Sequence, residues 1–70
     1  MVAMTITEYW TDKALAGEIK AVITWPATSY ETVTEAVKSV SSRFKHRLVH
    51  KGKDEVVFDN SIYVQRVSFK

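Results

Sequence analysis

The longest run of helical spacing lies between Thr28 and Lys45, where Tyr30, Val33, Val37, Val40 and Phe44 share one narrow arc of a helical wheel. Ala36 borders the arc and Leu48 would continue it, so the pattern predicts one amphipathic helix over about 29–46. Thr28 or Ser29 supplies a cap for its first N–H groups, with Glu31 and Thr32 in the first turn. All five core positions are β-branched or aromatic, a poor composition for an isolated helix. Packing against a sheet must therefore hold it.

The remainder alternates with period two. Met4–Trp10 predicts a strand with Met4, Ile6 and Trp10 on one face and Thr5, Thr7 and Tyr9 on the other. A helix starting after Thr7, with Trp10, Ala14 and Leu15 at helical spacing, is the competing assignment for residues 8–16. Thr11–Gly17 then connects to a strand over Glu18–Trp25. Its inward set is Ile19, Ala21, Ile23 and Trp25, with Lys20, Val22 and Thr24 pointing away, and Pro26 ends it. After the helix, Arg47–His50 and Glu55–Asp59 predict two short strands around the turn signal at Gly52, and Asp59–Ser61 turns into a last strand over Ile62–Phe69. Alternatively the helix runs on to Lys51 with Gly52 at its C-terminus. Either way the chain predicts an α+β domain, one helix on an antiparallel sheet in ββαββ or ββαβββ order.

Composition bounds this picture. Seventy residues, 46% of them hydrophobic, suffice for one domain with a small core. With no cysteine there is neither a disulfide nor a thiolate metal site, so packing or a partner must stabilise the fold. No apolar run is long enough to span a membrane, and the first eight residues lack the basic and apolar regions of a secretory signal. A cytoplasmic location is the expectation.

Charge is uneven. Residues 1–37 carry two lysines against five acids and residues 38–70 carry eight Lys/Arg against three acids, netting −3 and +5. Lys38, Arg43, Lys45, His46, Arg47, His50, Lys51 and Lys53 form a basic cluster, in which Arg43, Lys45, Arg47, Lys51 and Lys53 are suited to phosphate contacts, because cations release counterions from a nucleic-acid backbone. The competing explanation is the helix dipole, which favours acids such as Glu31 and Glu35 at the start and bases at the end. Tyr9 and Tyr63, on strands, are candidate groups for base stacking. Trp10 and Trp25 are assigned to packing under the helix. His46 and His50 would share an exposed helix face, but no further histidine or cysteine completes a zinc set, so no metal or cofactor is expected.

One helix covers one sheet face. Val22, Val57, Tyr63, Val67 and Phe69 are therefore assigned to an apolar outer face, an interface for a second copy or another protein. No thiol nucleophile, glycine-rich phosphate loop or carboxylate pair points to catalysis or to a small-molecule substrate, so an enzyme is not expected. The leading expectation is a small basic domain that binds, or associates with, nucleic acid. The alternative is a protein-interaction or assembly subunit acting through the apolar face.

Overall fold

Strand-forming residues fill both ends of the chain, and the computed structural model, which describes residues 1–70, pairs those ends with each other. The elements are β1 (Met4–Trp10), β2 (Ile19–Trp25), α1 (Val33–Arg43), a single 3-10 turn at Lys45–Arg47, β3 (Leu48–Lys51), β4 (Glu55–Asp59) and β5 (Tyr63–Phe69). The sheet is antiparallel throughout, in the order β2-β1-β5-β4-β3. Three local hairpins are thus joined by one long-range pair, β1 with β5. The fold is α+β in ββαβββ order, and residues 8–10 belong to the first strand.

Register decides which side chains meet the helix. Across the β1–β5 pair, Met4 stands opposite Phe69, Ile6 opposite Val67, Glu8 opposite Gln65 and Trp10 opposite Tyr63. Val67 in turn faces Val56, and Gln65 faces Phe58. Side chains directly opposite lie on the same face, so these residues form one surface. Ala36 and Val37 of α1 pack on it with Val2, giving a core of Val2, Ala36, Val37, Val56, Phe58, Val67 and Phe69. The assignment of Val67 and Phe69 to an outer face is therefore corrected: they are 3% and 4% exposed beneath the helix. Tyr63 shares their face, half-buried. Both residue sets of β5 contain apolar side chains, so alternation separates the sets without saying which one turns inward. Val22 and Val57 do lie on the opposite side, but among Thr5, Thr7, Thr24, Arg66 and Ser68. That side is a mixed polar surface.

The helix is shorter than its hydrophobic arc. Thr28 is pinned to the N-terminal segment, its N–H and hydroxyl both donating to the Val2 carbonyl at 2.9 and 2.7 Å, while Val2 N–H donates to Tyr30 O. Residues 28–30, tied to Val2 by these bonds, stand outside the helix, so Thr32, and not Thr28 or Ser29, is the cap, its own backbone extended at φ −133° and ψ 156°. Its hydroxyl accepts from Glu35 N–H at 3.1 Å, and the Glu35 carboxylate accepts from Glu31 N–H at 3.1 Å. Eleven residues are marginal for a helix on its own, so the cap matters: Thr32→Ala should lower stability by about 1 kcal/mol, read as a lower midpoint in a thermal unfolding curve. At the other end Phe44 leaves helical geometry and sets its ring edge-on to Phe58, centroids 5.7 Å apart. His46 lies in the following turn and His50 on β3, so the two histidines share no helix face.

Because α1 packs on β3, β4 and β5, it leaves the β1–β2 end of the sheet uncovered. Of the inward set expected for β2, Ala21, Ile23 and Trp25 are on the helix side but lack a lid, Ile23 and Trp25 being 45% and 40% exposed, whereas the bulge at Lys20 puts Ile19 opposite Tyr9 on the other face. Trp10 stands beside Tyr63, at the end of the sheet face occupied by Glu8 and Lys20, so neither tryptophan packs under the helix. In the β1–β2 connection, Gly17 takes φ +84°, a left-handed conformation that favours glycine.

Candidate nucleic-acid interface

The basic residues separate into two groups in space. Lys38 projects from the middle of α1 toward the β3–β4 turn and meets Lys51 and Lys53 around an open recess of about 370 Å³, whose other lining residues are Thr34, Val37 and Gly52. No acidic side chain lines it. The turn is tight at Gly52, whose N–H donates to Glu55 O at 2.8 Å; a Cβ there would come within 3.1 Å of the Glu55 side chain. Arg43 and Arg47 instead flank an apolar groove of about 350 Å³ beside Phe44, floored by Met4, Ile6, Phe58 and Val67. Lys45 lies exposed in the intervening turn.

The lysines remain uncompensated for a structural reason. Glu55, the acid nearest Lys51 and Lys53 in sequence apart from Asp54, turns its carboxylate away to the guanidinium of Arg66, with His50 Nε2 at 3.8 Å. That carboxylate raises the already high pKa of Arg66 further. Among the ten Lys and Arg residues, Lys20 and Arg66 have acidic partners, whereas Lys38, Arg43, Lys45, Arg47, Lys51 and Lys53 have none. The helix dipole accounts for Arg43 in the last turn. It does not account for Lys38 at mid-helix, for Lys51 at the end of β3 or for Lys53 in the bend that follows.

The candidate stacking residues are dispersed. Tyr9 and Tyr63 lie on opposite faces of the sheet, and the Tyr63 ring is covered by Lys20 Nζ at 4.7 Å from its centroid. They do not form one platform, and neither lines the lysine recess.

A polar seam, invisible to any spacing rule, separates the core from the Trp10–Tyr63 end. Arg47 donates to Asn60 Oδ1 (2.7 Å), Asn60 Nδ2 to Gln65 Oε1 (2.7 Å), and Gln65 Nε2 to Glu8 Oε2 (2.8 Å), while Lys20 Nζ donates to Glu8 Oε1 (3.1 Å). Every donor points along the chain toward the carboxylate, so Glu8 sits buried with both oxygens satisfied. A bulge in the β1–β2 register at Glu8/Tyr9 goes with Lys20 reaching this face, where alternation alone would send it to the other. Removing the carboxylate strands Gln65 and loosens Lys20, so Glu8→Ala should lose about 2 kcal/mol in urea unfolding, and Glu8→Gln, which keeps an acceptor, distinctly less.

No three His, Asp or Glu side chains converge in a way that could hold a metal ion. No helix is long and apolar enough to cross a membrane. No protein-family model, curated protein or solved structure matches the chain.

Proposed function

We propose that the chain is a non-catalytic binding module that associates with nucleic acid through its phosphate backbone. Lys38, Lys51 and Lys53 would form the primary contacts, and Arg43, Lys45 and Arg47 would extend the positive surface along the helix end. The observation that carries this reading is the convergence of three lysines from two separate elements on one recess without an acid. Three like charges gathered at one place repel one another, and a polyanion relieves that repulsion while releasing its own counterions. Lysine ammonium groups act as mobile point charges, which suits backbone contact without base readout.

The expected behaviour is binding of short generic duplex and single-stranded oligonucleotides at low salt, with little sequence preference. Affinity should fall linearly on a log–log plot against salt, with a slope of about −0.9 for each phosphate neutralised on duplex DNA. Fluorescence anisotropy at two salt concentrations makes the measurement. Absence of binding at low salt would remove this reading and leave protein interaction as the function to pursue.

A further inference from the structure

We propose that the free edge of β2 pairs with β2 of a second copy of the chain, antiparallel about a two-fold axis at Ile23. The two edges of this sheet are built differently. The β3 edge is four residues long, irregular in register between Leu48 and His50, and carries His50 and Lys51. Short, bulged, charged edges are how sheets avoid pairing with other chains. The β2 edge is seven residues long, and its Ala21–Trp25 stretch has no charge, proline or bulge. Of the nine large hydrophobic residues that are exposed, four (Ile19, Val22, Ile23 and Trp25) belong to this one strand.

The backbone also shows which groups are free. Ala3 and Lys70 exchange both of their hydrogen bonds across the β1–β5 pair, whereas Trp10 donates to Glu18 O and accepts from Gly17 N–H on the β2 side. Residues alternate in direction along an antiparallel strand. The even-numbered residues of β1 therefore address β2, and their opposites there, Ile23 and Trp25, are the bonded ones. Val22 and Thr24 then turn N–H and C=O outward. A two-fold axis opposite Ile23 sets Val22 against Thr24 of the second copy, closing four backbone hydrogen bonds. It also sets Ile23 against Ile23 and Ala21 against Trp25. No like charges meet, and every side chain in the window is apolar or threonine. Pro26, lacking an N–H, ends the ladder on one side, and the bulge at Lys20 ends it on the other, so the register is specified.

The result is one continuous sheet with a helix over each outer end. This inference does not depend on the nucleic-acid reading, since the lysine recess lies beyond α1 from β2.

The chain has no cysteine, so a single introduced one reports the register directly. In a non-hydrogen-bonded antiparallel pair the Cα atoms are about 4.5 Å apart, within disulfide range. Ile23→Cys should therefore oxidise rapidly to a covalent dimer, and Val22→Cys, whose opposite is Thr24, should not. Sedimentation of the native chain should show a concentration-dependent dimer, and Thr24→Pro, which removes an outward N–H that the monomer does not use, should remain monomeric. A native chain that is monomeric at near-millimolar concentration overturns the proposal. So does cross-linking of Ile23→Cys no faster than Val22→Cys, or a dimer undiminished by Thr24→Pro.

Discussion

Replacing Phe58 with alanine is expected to remove about 3 to 5 kcal/mol of stability, enough to leave the chain only marginally folded. Phe58 is 3% exposed, lies in the central part of the sheet on β4, and meets the edge of Phe44 where the helix ends. Seven buried hydrophobic residues make up the whole core, so no neighbouring layer can collapse into the space left behind. A chain of this length has a total stability on the order of 5 kcal/mol, at about 0.05–0.15 kcal/mol per residue. Loss of a large aromatic takes most of that. Phe58→Leu keeps most of the volume and should cost distinctly less. Urea unfolding followed by tryptophan fluorescence reports both variants, and an unchanged midpoint for the alanine variant would contradict this description of the core.

The second large effect concerns the lysine recess. Lys51→Glu combined with Lys53→Glu takes the net charge from +2 to −2, since each reversal removes two charges. Lys13→Glu combined with Lys70→Glu makes the same change at positions that do not line the recess. If binding followed overall charge, the two variants would weaken equally. The recess predicts that the Lys51/Lys53 variant loses measurable oligonucleotide binding at moderate salt, with its salt slope reduced by about two. The Lys13/Lys70 variant should keep the native slope and lose only a modest part of the affinity through weaker long-range attraction. Both sites are exposed, so the fold should survive in each.

Much of this architecture is legible in the chain, and the exceptions share a cause. Period-two alternation locates β1, β2, β4 and β5 within a residue or so, because each strand is a local property of its own side chains. The helix is recognised by the arc of Val33, Val37 and Val40, but its start is set by Val2 bonding to Thr28 and Tyr30, a contact across more than 25 residues. The helix-facing set of β5 is chosen by its register with Val56 and Phe58, and nothing within Tyr63–Phe69 records that choice. Glu8 looks like a surface residue on a strand until Gln65, 57 positions away, and Lys20 converge on it. The basic cluster from Lys38 to Lys53 is evident by eye, but that Lys38, and not Arg43 or Arg47, meets Lys51 and Lys53 emerges only once the helix lies beside the β3–β4 turn. Local patterns survive reading in one dimension. Contacts made by register and packing do not.

The exposed β2 strand is the other outcome of that difference. Its alternation looks like that of a covered strand, yet a helix of eleven residues spans only three of the five strands. The apolar surface expected on the face opposite the helix is instead at the sheet's end: Val67 and Phe69 are buried, and Val22, with Ile23 and Trp25, is exposed on β2, where we propose the contact with a second copy.

The central claim, that the lysine recess is a phosphate-binding surface, is tested most directly by titrating one labelled duplex with the native chain and with the Lys51/Lys53 reversal at low and moderate salt. Saturable, salt-sensitive binding by the native chain, lost on reversal, is the predicted result. No binding by the native chain at low salt, or binding indifferent to the reversal, would contradict it.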